Sequence, residues 1–261
     1  MRFGYRAGRE VLHGIDLDLA PGERLAVVGP SGAGKSTLGR LLAGVNAPDS
    51  GSVTVGGVER SALPPRRRRR AVLLVTQEQH VFAGSVRENL TLPREAADGE
   101  LWAALRTVGA DGWASGLPAG LDTELGDGGA PVPPSVVQRL ALARLVLADP
   151  PTLVLDEATS LVDPSGSGAL ERSLAAVLAG RTVVTITHRL ASVADADRIA
   201  VLEAGRVVEL GTHADLLAAG GSYAELVRAA ANPGRIGPRH GTSSGPAAPP
   251  VDPAADAVEP H

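Results

Sequence analysis

A chain of 261 residues, 44% hydrophobic and 21% charged, carries enough apolar material to bury a core in one large domain or two small ones. Its formal net charge of −4 supplies no broad basic field for a nucleic acid, and with no cysteine it has neither a disulfide framework nor a thiolate metal site, which fits a reducing compartment. No apolar run approaches the ~20 residues of a membrane helix, and the first residues lack the charged and apolar regions of a signal peptide.

Aromatic residues make up only 2% of the chain, so Phe3, Tyr5 and Phe82 stand out. Lys35 is the single lysine; every other basic residue is arginine. From the N-terminus, "RLAVVG" (24 to 29) is an apolar run ending in glycine, and "LGRLLAG" after Thr37 repeats apolar residues at helical spacing, which predicts a strand, a tight loop and a helix. The arginines at 66 to 70 read as a solvated strand edge or turn. Residues 79 to 149 are mostly helical in pattern and form an inserted subdomain, with "DGELWAALRTVGA" and "SVVQRLALARLVLA" as its clearest helices. Two further β-branched or aliphatic runs, "TLVLDEATS" (152 to 160) and "RTVVTITHR" (181 to 189), end abruptly in polar residues. Residues 232 to 261, rich in proline, glycine and alanine, read as a disordered tail after a domain at 1 to 231.

Open α/β sheets bind ligands at the carboxyl ends of their strands, so Gly29, Asp156 with Glu157, and His188 are expected to meet in one crevice. The loop "GPSGAGKST" fits G-x-x-x-x-G-K-[ST]. Its Gly29, Pro30, Ser31, Gly32, Ala33 and Gly34 would wrap nucleotide phosphates, with Gly32 and Gly34 letting backbone N–H groups turn inward. Lys35 would add a point charge near the β- and γ-phosphates, Ser36 a ligand for Mg²⁺, and Thr37 completes the motif. Arginine's planar fork is a poor substitute for a compact ammonium, which explains why this position alone keeps lysine. Asp156 is placed to hold Mg²⁺, partly through water, and Glu157 to polarise an attacking water as general base. His188 would hydrogen-bond the γ-phosphate.

Taken together, these motifs over residues 1 to 230 resemble the nucleotide-binding domain of ABC transporters, exporter type. The resemblance implies an α/β P-loop NTPase core with a mostly parallel sheet, an N-terminal antiparallel β section and the inserted helical subdomain. "FGY" looks like the adenine-stacking segment, with Tyr5 as the stacking ring. "VTQEQHVFAGSVRENL" looks like the glutamine loop, with Gln77 as the Mg²⁺ and coupling residue. "LPAGLDTELGDGGA" is similar to the segment before the family signature, and "SLVD" makes Asp163 the aspartate of the loop after the catalytic glutamate. ATP and Mg²⁺ are the implied cofactors and ATP hydrolysis the implied reaction.

One motif departs. The family carries a signature close to L-S-G-G-Q before the helix that here reads "QRLALAR"; aligned through Gln138 and Arg139, it falls on "VPPSV", Val132 to Val136. In the family that segment clasps the γ-phosphate held by the partner of a head-to-tail dimer. Pro133 replaces the serine and Pro134 a glycine, and proline has no N–H to donate. Ser135 is expected to cap the helix. With the groups acting in cis intact and the segment acting in trans lost, the expected subunit belongs to a heterodimer whose partner supplies an intact signature. A transmembrane domain or permease subunit is a second implied partner, with the chain at the cytoplasmic face of the membrane. Met1 stands two residues before the adenine-stacking segment, so the membrane part is expected on a separate polypeptide or lost from a fragment. A regulatory nucleotide-binding module or a nonfunctional remnant is the alternative. A soluble family ATPase of repair or translation is weaker, for want of coiled coils or a tandem domain.

Overall fold

A computed structural model describes residues 1–6, 8–76, 80–126, 128–157, 168–188, 190–193 and 196–231. Gln77, Asp163 and the expected tail at 232–261 lie outside them.

The elements run β1 (Arg2–Arg6), β2 (Arg9–His13), β3 (Arg24–Val28), α1 (Lys35–Ala43), β4 (Thr54–Val55), β5 (Val58–Glu59), α2 (Pro65–Ala71) and β6 (Val72–Val75). The middle section holds β7 (Gly84–Ser85), α3 (Val86–Thr91), α4 (Asp98–Thr107), α5 (Asp111–Ser115), β8 (Glu124–Leu125) and α6 (Pro134–Ala148). There follow β9 (Thr152–Asp156), α7 (Gly168–Leu178), β10 (Thr182–Ile186), β11 (Arg198–Glu203), β12 (Arg206–Gly211), α8 (His213–Ala219) and α9 (Ser222–Ala231).

Six strands form the central sheet in the order β12-β11-β3-β10-β9-β6. All pair in parallel except β11 with β12. Antiparallel pairing joins β1 to β2, so the expected mostly parallel core and antiparallel N-terminal section are both present. The apolar runs are short and β-branched because these strands are covered on both faces. Alternation then sorts their residues. Leu153 and Leu155 of β9 face a cluster built with Leu90, Leu101, Leu105 and Leu140 of the helical section, whereas Val154 joins Leu38 and Leu41 of α1 on the other face.

Two local expectations are corrected. The arginines at 66 to 70 lie in the short helix α2, started by Pro65 in its first turn, where a missing N–H costs nothing. Ser135 does not cap α6: the helix begins at Pro134, Pro133 takes the flanking position with φ −58° and ψ 143°, and no side chain caps it. A proline ring presets the φ of a first helical residue, so the helix starts one residue before its first hydroxyl.

Candidate functional site

Register decides which side chains meet. In the parallel pairing Val27 lies beside Ile186 and Ile186 beside Asp156, so β3, β10 and β9 stop at one edge of the sheet. There they release Gly29, then Thr187 and His188, then Glu157. The three polar endings expected to converge do so.

At Gly29 φ is 143°, and a Cβ would stand 2.0 Å from the carbonyl oxygen of Leu202, so no other residue fits between the two strands. The loop then climbs to Gly34, whose φ of 100° turns the chain into α1. Ser31, Gly32 and Ser36 are exposed, while Ala33 and Thr37 are buried against the body. The Lys35 ammonium donates to the carbonyls of Gly29 and Pro30, both at 2.8 Å. It is half-buried, and desolvation pulls its pKa below the usual lysine value although Glu157 and Asp156 oppose that pull. A cation whose hydrogen bonds among the described residues go to two neutral carbonyls at the mouth of a loop is poised to exchange them for an anion.

Ser36 donates its hydroxyl to Asp156 Oδ1 at 3.1 Å, linking the start of α1 to the end of β9. Burial pushes the Asp156 carboxyl above its ordinary range, with Glu157 adding repulsion and the Ser36 bond working against both. A hydroxyl and a carboxylate brought together at the mouth of the phosphate loop are hard oxygen donors of the kind Mg²⁺ takes, so these two groups would fit it. Mg²⁺ prefers one or two protein groups, phosphate oxygens and water to an all-protein cage.

Glu157 follows at φ 53°, a left-handed conformation uncommon for a side chain of its size, and its N–H donates to the carbonyl of Ile186 at 2.9 Å. That turn aims the carboxylate at His188, whose Nδ1 lies 3.6 Å from Glu157 Oε1, with the histidine largely and the glutamate partly open to water. Tyr5 lies on the neighbouring β1. Its ring packs edge-on to Phe3, centroids 5.0 Å apart, and its hydroxyl meets Thr37 Oγ1 at 3.2 Å and Arg40 Nη1 at 3.4 Å. One face of the tyrosine thus stays half-exposed beside the phosphate loop, next to an open cleft of about 800 Å³ lined by Arg6, Arg9, Glu10, His13 and Asp49.

A match to the ABC transporter family covers residues 12–160. The chain belongs to that family. It is 38% identical over 225 residues to an ATM1-type heavy metal exporter of Novosphingobium aromaticivorans, covering 86% of this chain and 37% of that one. It is 42% identical over 227 residues to a mycobactin import ATP-binding/permease protein of Mycolicibacterium thermoresistibile, covering 87% of this chain and 39% of the relative. A solved structure of a bacterial Atm1-family ABC exporter with ATP bound superposes with a TM-score of 0.78 at 38% identity, over 88% of this chain and 40% of that one. The chain therefore spans about two fifths of the length of these relatives. It corresponds to the ATP-binding domain of an ABC exporter, and no helix among its described residues is long and apolar enough to cross a membrane.

Of the residues singled out in the sequence, the phosphate loop, Asp156, Glu157 and His188 share one crevice and Tyr5 stands at its rim. Val132 to Val136 belong elsewhere, at the entrance to α6. Pro133, Pro134 and Ser135 are exposed there, whereas Val136 is buried in the helical cluster. Sequence reasoning missed Arg40 beside Tyr5, and it missed Arg144, the one charge in the otherwise apolar second half of α6 from Leu140 to Ala148. That incongruous charge was the available signal.

Proposed function

We propose that the chain is the ATP-binding and ATP-hydrolysing subunit of an ABC exporter, working in an asymmetric heterodimer whose partner supplies an intact signature. The observation that carries this reading is the contrast between Lys35, Ser36, Asp156, Glu157 and His188 gathered in one crevice and a donor-poor segment at 132 to 136. In the closed pair, Tyr5 stacks on adenine. The amides of Ser31 to Thr37 surround the phosphates, and the Lys35 ammonium leaves its two carbonyls for the β- and γ-oxygens. Ser36 and Asp156 would hold Mg²⁺ with Gln77, and the ion would neutralise charge on the transferring phosphoryl group. Glu157 takes a proton from the attacking water, His188 donates to the γ-phosphate, and Asp163 shapes the loop beyond the glutamate. A crevice this open to water must be covered before such electrostatics act at full strength, which is the physical reason for requiring a partner.

Binding favours the closed pair and hydrolysis lets it reopen, so the cycle can drive a membrane-spanning permease region, carried on this polypeptide or another, from the cytoplasmic face. Relatives of nearly equal identity are named for a heavy metal, a mycobactin and lipid A-core. Identity in this domain thus does not follow the cargo, and we assign the choice of substrate to the permease region.

The test is repair of the clasp by Pro133→Ser, Pro134→Gly and Ser135→Gly, leaving the buried Val136, where a polar side chain without a partner would cost about 1–3 kcal/mol. The repaired chain is expected to dimerise with ATP and to gain turnover that Glu157→Gln abolishes. Fast turnover by the unrepaired chain alone would sink the heterodimer. If both versions bind ATP and neither hydrolyses it, the regulatory reading, which the paired prolines favour, replaces it.

A further inference from the structure

Arg144 has no part in the chemistry above, and its surroundings are unusual for a charge. Its Nε donates to the carbonyl of Asn89 at 2.8 Å, Nη2 to Asn89 Oδ1 at 2.7 Å and Nη1 to the carbonyl of His80 at 2.7 Å. The guanidinium lies 5.6 Å from the centroid of Phe82. Burial lowers its pKa, and the three acceptors described are amide oxygens, none a carboxylate. A partly buried cation set against neutral dipoles is a costly way to fill space, and leucine or methionine would fill it without that cost. What apolar residues lack is a planar fork that reaches two chain segments at fixed angles.

The segments it joins are informative. Asn89, fully buried, donates from Nδ2 to the carbonyls of Phe82 and Ser85 and accepts at Oδ1 from the N–H of Phe82. Ser85 and Glu88 cap α3 reciprocally. Residues 80 to 89 are therefore one bonded unit, and Arg144 fastens that unit to α6. Upstream, the same segment leaves β6 beside β9 and passes through Gln77; downstream it exposes Phe82, half of whose surface is open. Arg144 stands ten residues along α6 from Pro134, about 15 Å at 1.5 Å per residue.

We infer that Arg144 is a positioning residue that locks the loop at 80 to 82 to α6, so that a tilt of the helix whose entrance lies at 132 to 136 moves the glutamine-loop segment and Phe82 as one body. This rests on the nucleotide-binding reading of the crevice but not on the heterodimer.

The absence of native cysteine makes the experiment clean: His80→Cys and Ser135→Cys, both exposed, take spin labels in the full chain, and their distance distribution is measured with and without MgATP. Arg144→Lys keeps the charge and the stem but loses the fork, and Arg144→Met is a second variant that removes the charge. In the parent background the distribution is expected to be narrow. In both variants it broadens, and amide exchange at residues 80 to 85 rises at least tenfold, while ATP affinity stays within twofold and amides in the middle of α6 keep their protection. A narrow distribution and unchanged exchange in Arg144→Met overturn the proposal. So does a loss of protection spread evenly over the domain, which marks a general stability role. Failure of the parent chain to bind ATP would instead refute the nucleotide reading, and the exchange data would still decide the role of Arg144.

Discussion

Two helices in this chain are entered from loops on which the family places phosphate contacts, and the two entrances are built from opposite materials. The loop before α1 turns through Gly34 at φ 100° and brings Lys35 and Ser36 onto the first turn. The segment before α6 arrives extended through Pro133 and starts the helix on Pro134. Every helix N-terminus has unpaired amides and a partial positive charge. What separates the two is whether the residues there leave those amides present and pointing outward. Anion capacity is thus a property of the few residues at the turn and not of the helix behind it, and one fold can keep it at one entrance and lose it at another.

The sharpest way to break this contrast is at the chemistry itself. In an assembly with a signature-bearing partner, Glu157→Gln should leave ATP bound and lower turnover by about 100- to 10,000-fold, the usual range for a lost general base. In the isolated chain the same change should alter little, because the second entrance is missing, and phosphate release measured on both preparations checks the pair of outcomes. Lys35→Ala is next in size. Loss of a charge-assisted contact of roughly 2–3 kcal/mol should weaken ATP about 30- to 150-fold by calorimetry. The Tm of the empty chain should not fall, since burial already opposes the ammonium there.

The entrances also differ in what they demand of the backbone. Gly34→Ala forces a Cβ into a left-handed turn and to 2.8 Å from Leu12 Cδ2, a strain of about 1–2 kcal/mol that should lower Tm by roughly 2–6 °C. Pro134→Ala removes only a preset φ at a first helical position and should stay within about 0.5 kcal/mol. Equal losses in the two variants, read by calorimetric melting, would mean that the second entrance is as tightly specified as the first.

Much of this was legible in the sequence because it lies in local patterns. The apolar runs at 24–28, 152–156 and 182–186 are strands, and their polar endings share a crevice because parallel pairing in near register leaves them no other place. What stayed hidden depends on long-range placement or on backbone detail. The 66–70 arginines carry no apolar periodicity, so the helix that Pro65 starts left no trace in the pattern. The capping role expected of Ser135 failed because proline geometry advanced the helix start. No local pattern marks the turn at Glu157 or the partners of Arg144, which are 55 and 64 residues away in the chain.

The smallest effect expected bears on what the intact entrance costs. Asp156 must be ionised to serve Mg²⁺, yet burial and Glu157 raise its pKa in the empty fold. A carboxyl with a raised folded pKa binds its proton more tightly when folded, so its stabilising contribution is fully present below the ordinary carboxylate range and is lost as pH rises through the folded value. At neutral pH the ionised group therefore works against the empty fold. Asp156→Asn keeps an acceptor for Ser36 and removes that charge, so its Tm without nucleotide should equal or slightly exceed the parent's at pH 7, with the difference closing as pH approaches 4. The same variant should lose the additional stabilisation that Mg²⁺ gives over ATP alone. A lower Tm at pH 7 would mean that the attractions that depend on the charge, those of Ser36, Arg40 and Lys35 for the carboxylate, outweigh desolvation, and that the crevice is held together by the group meant to be free for the metal.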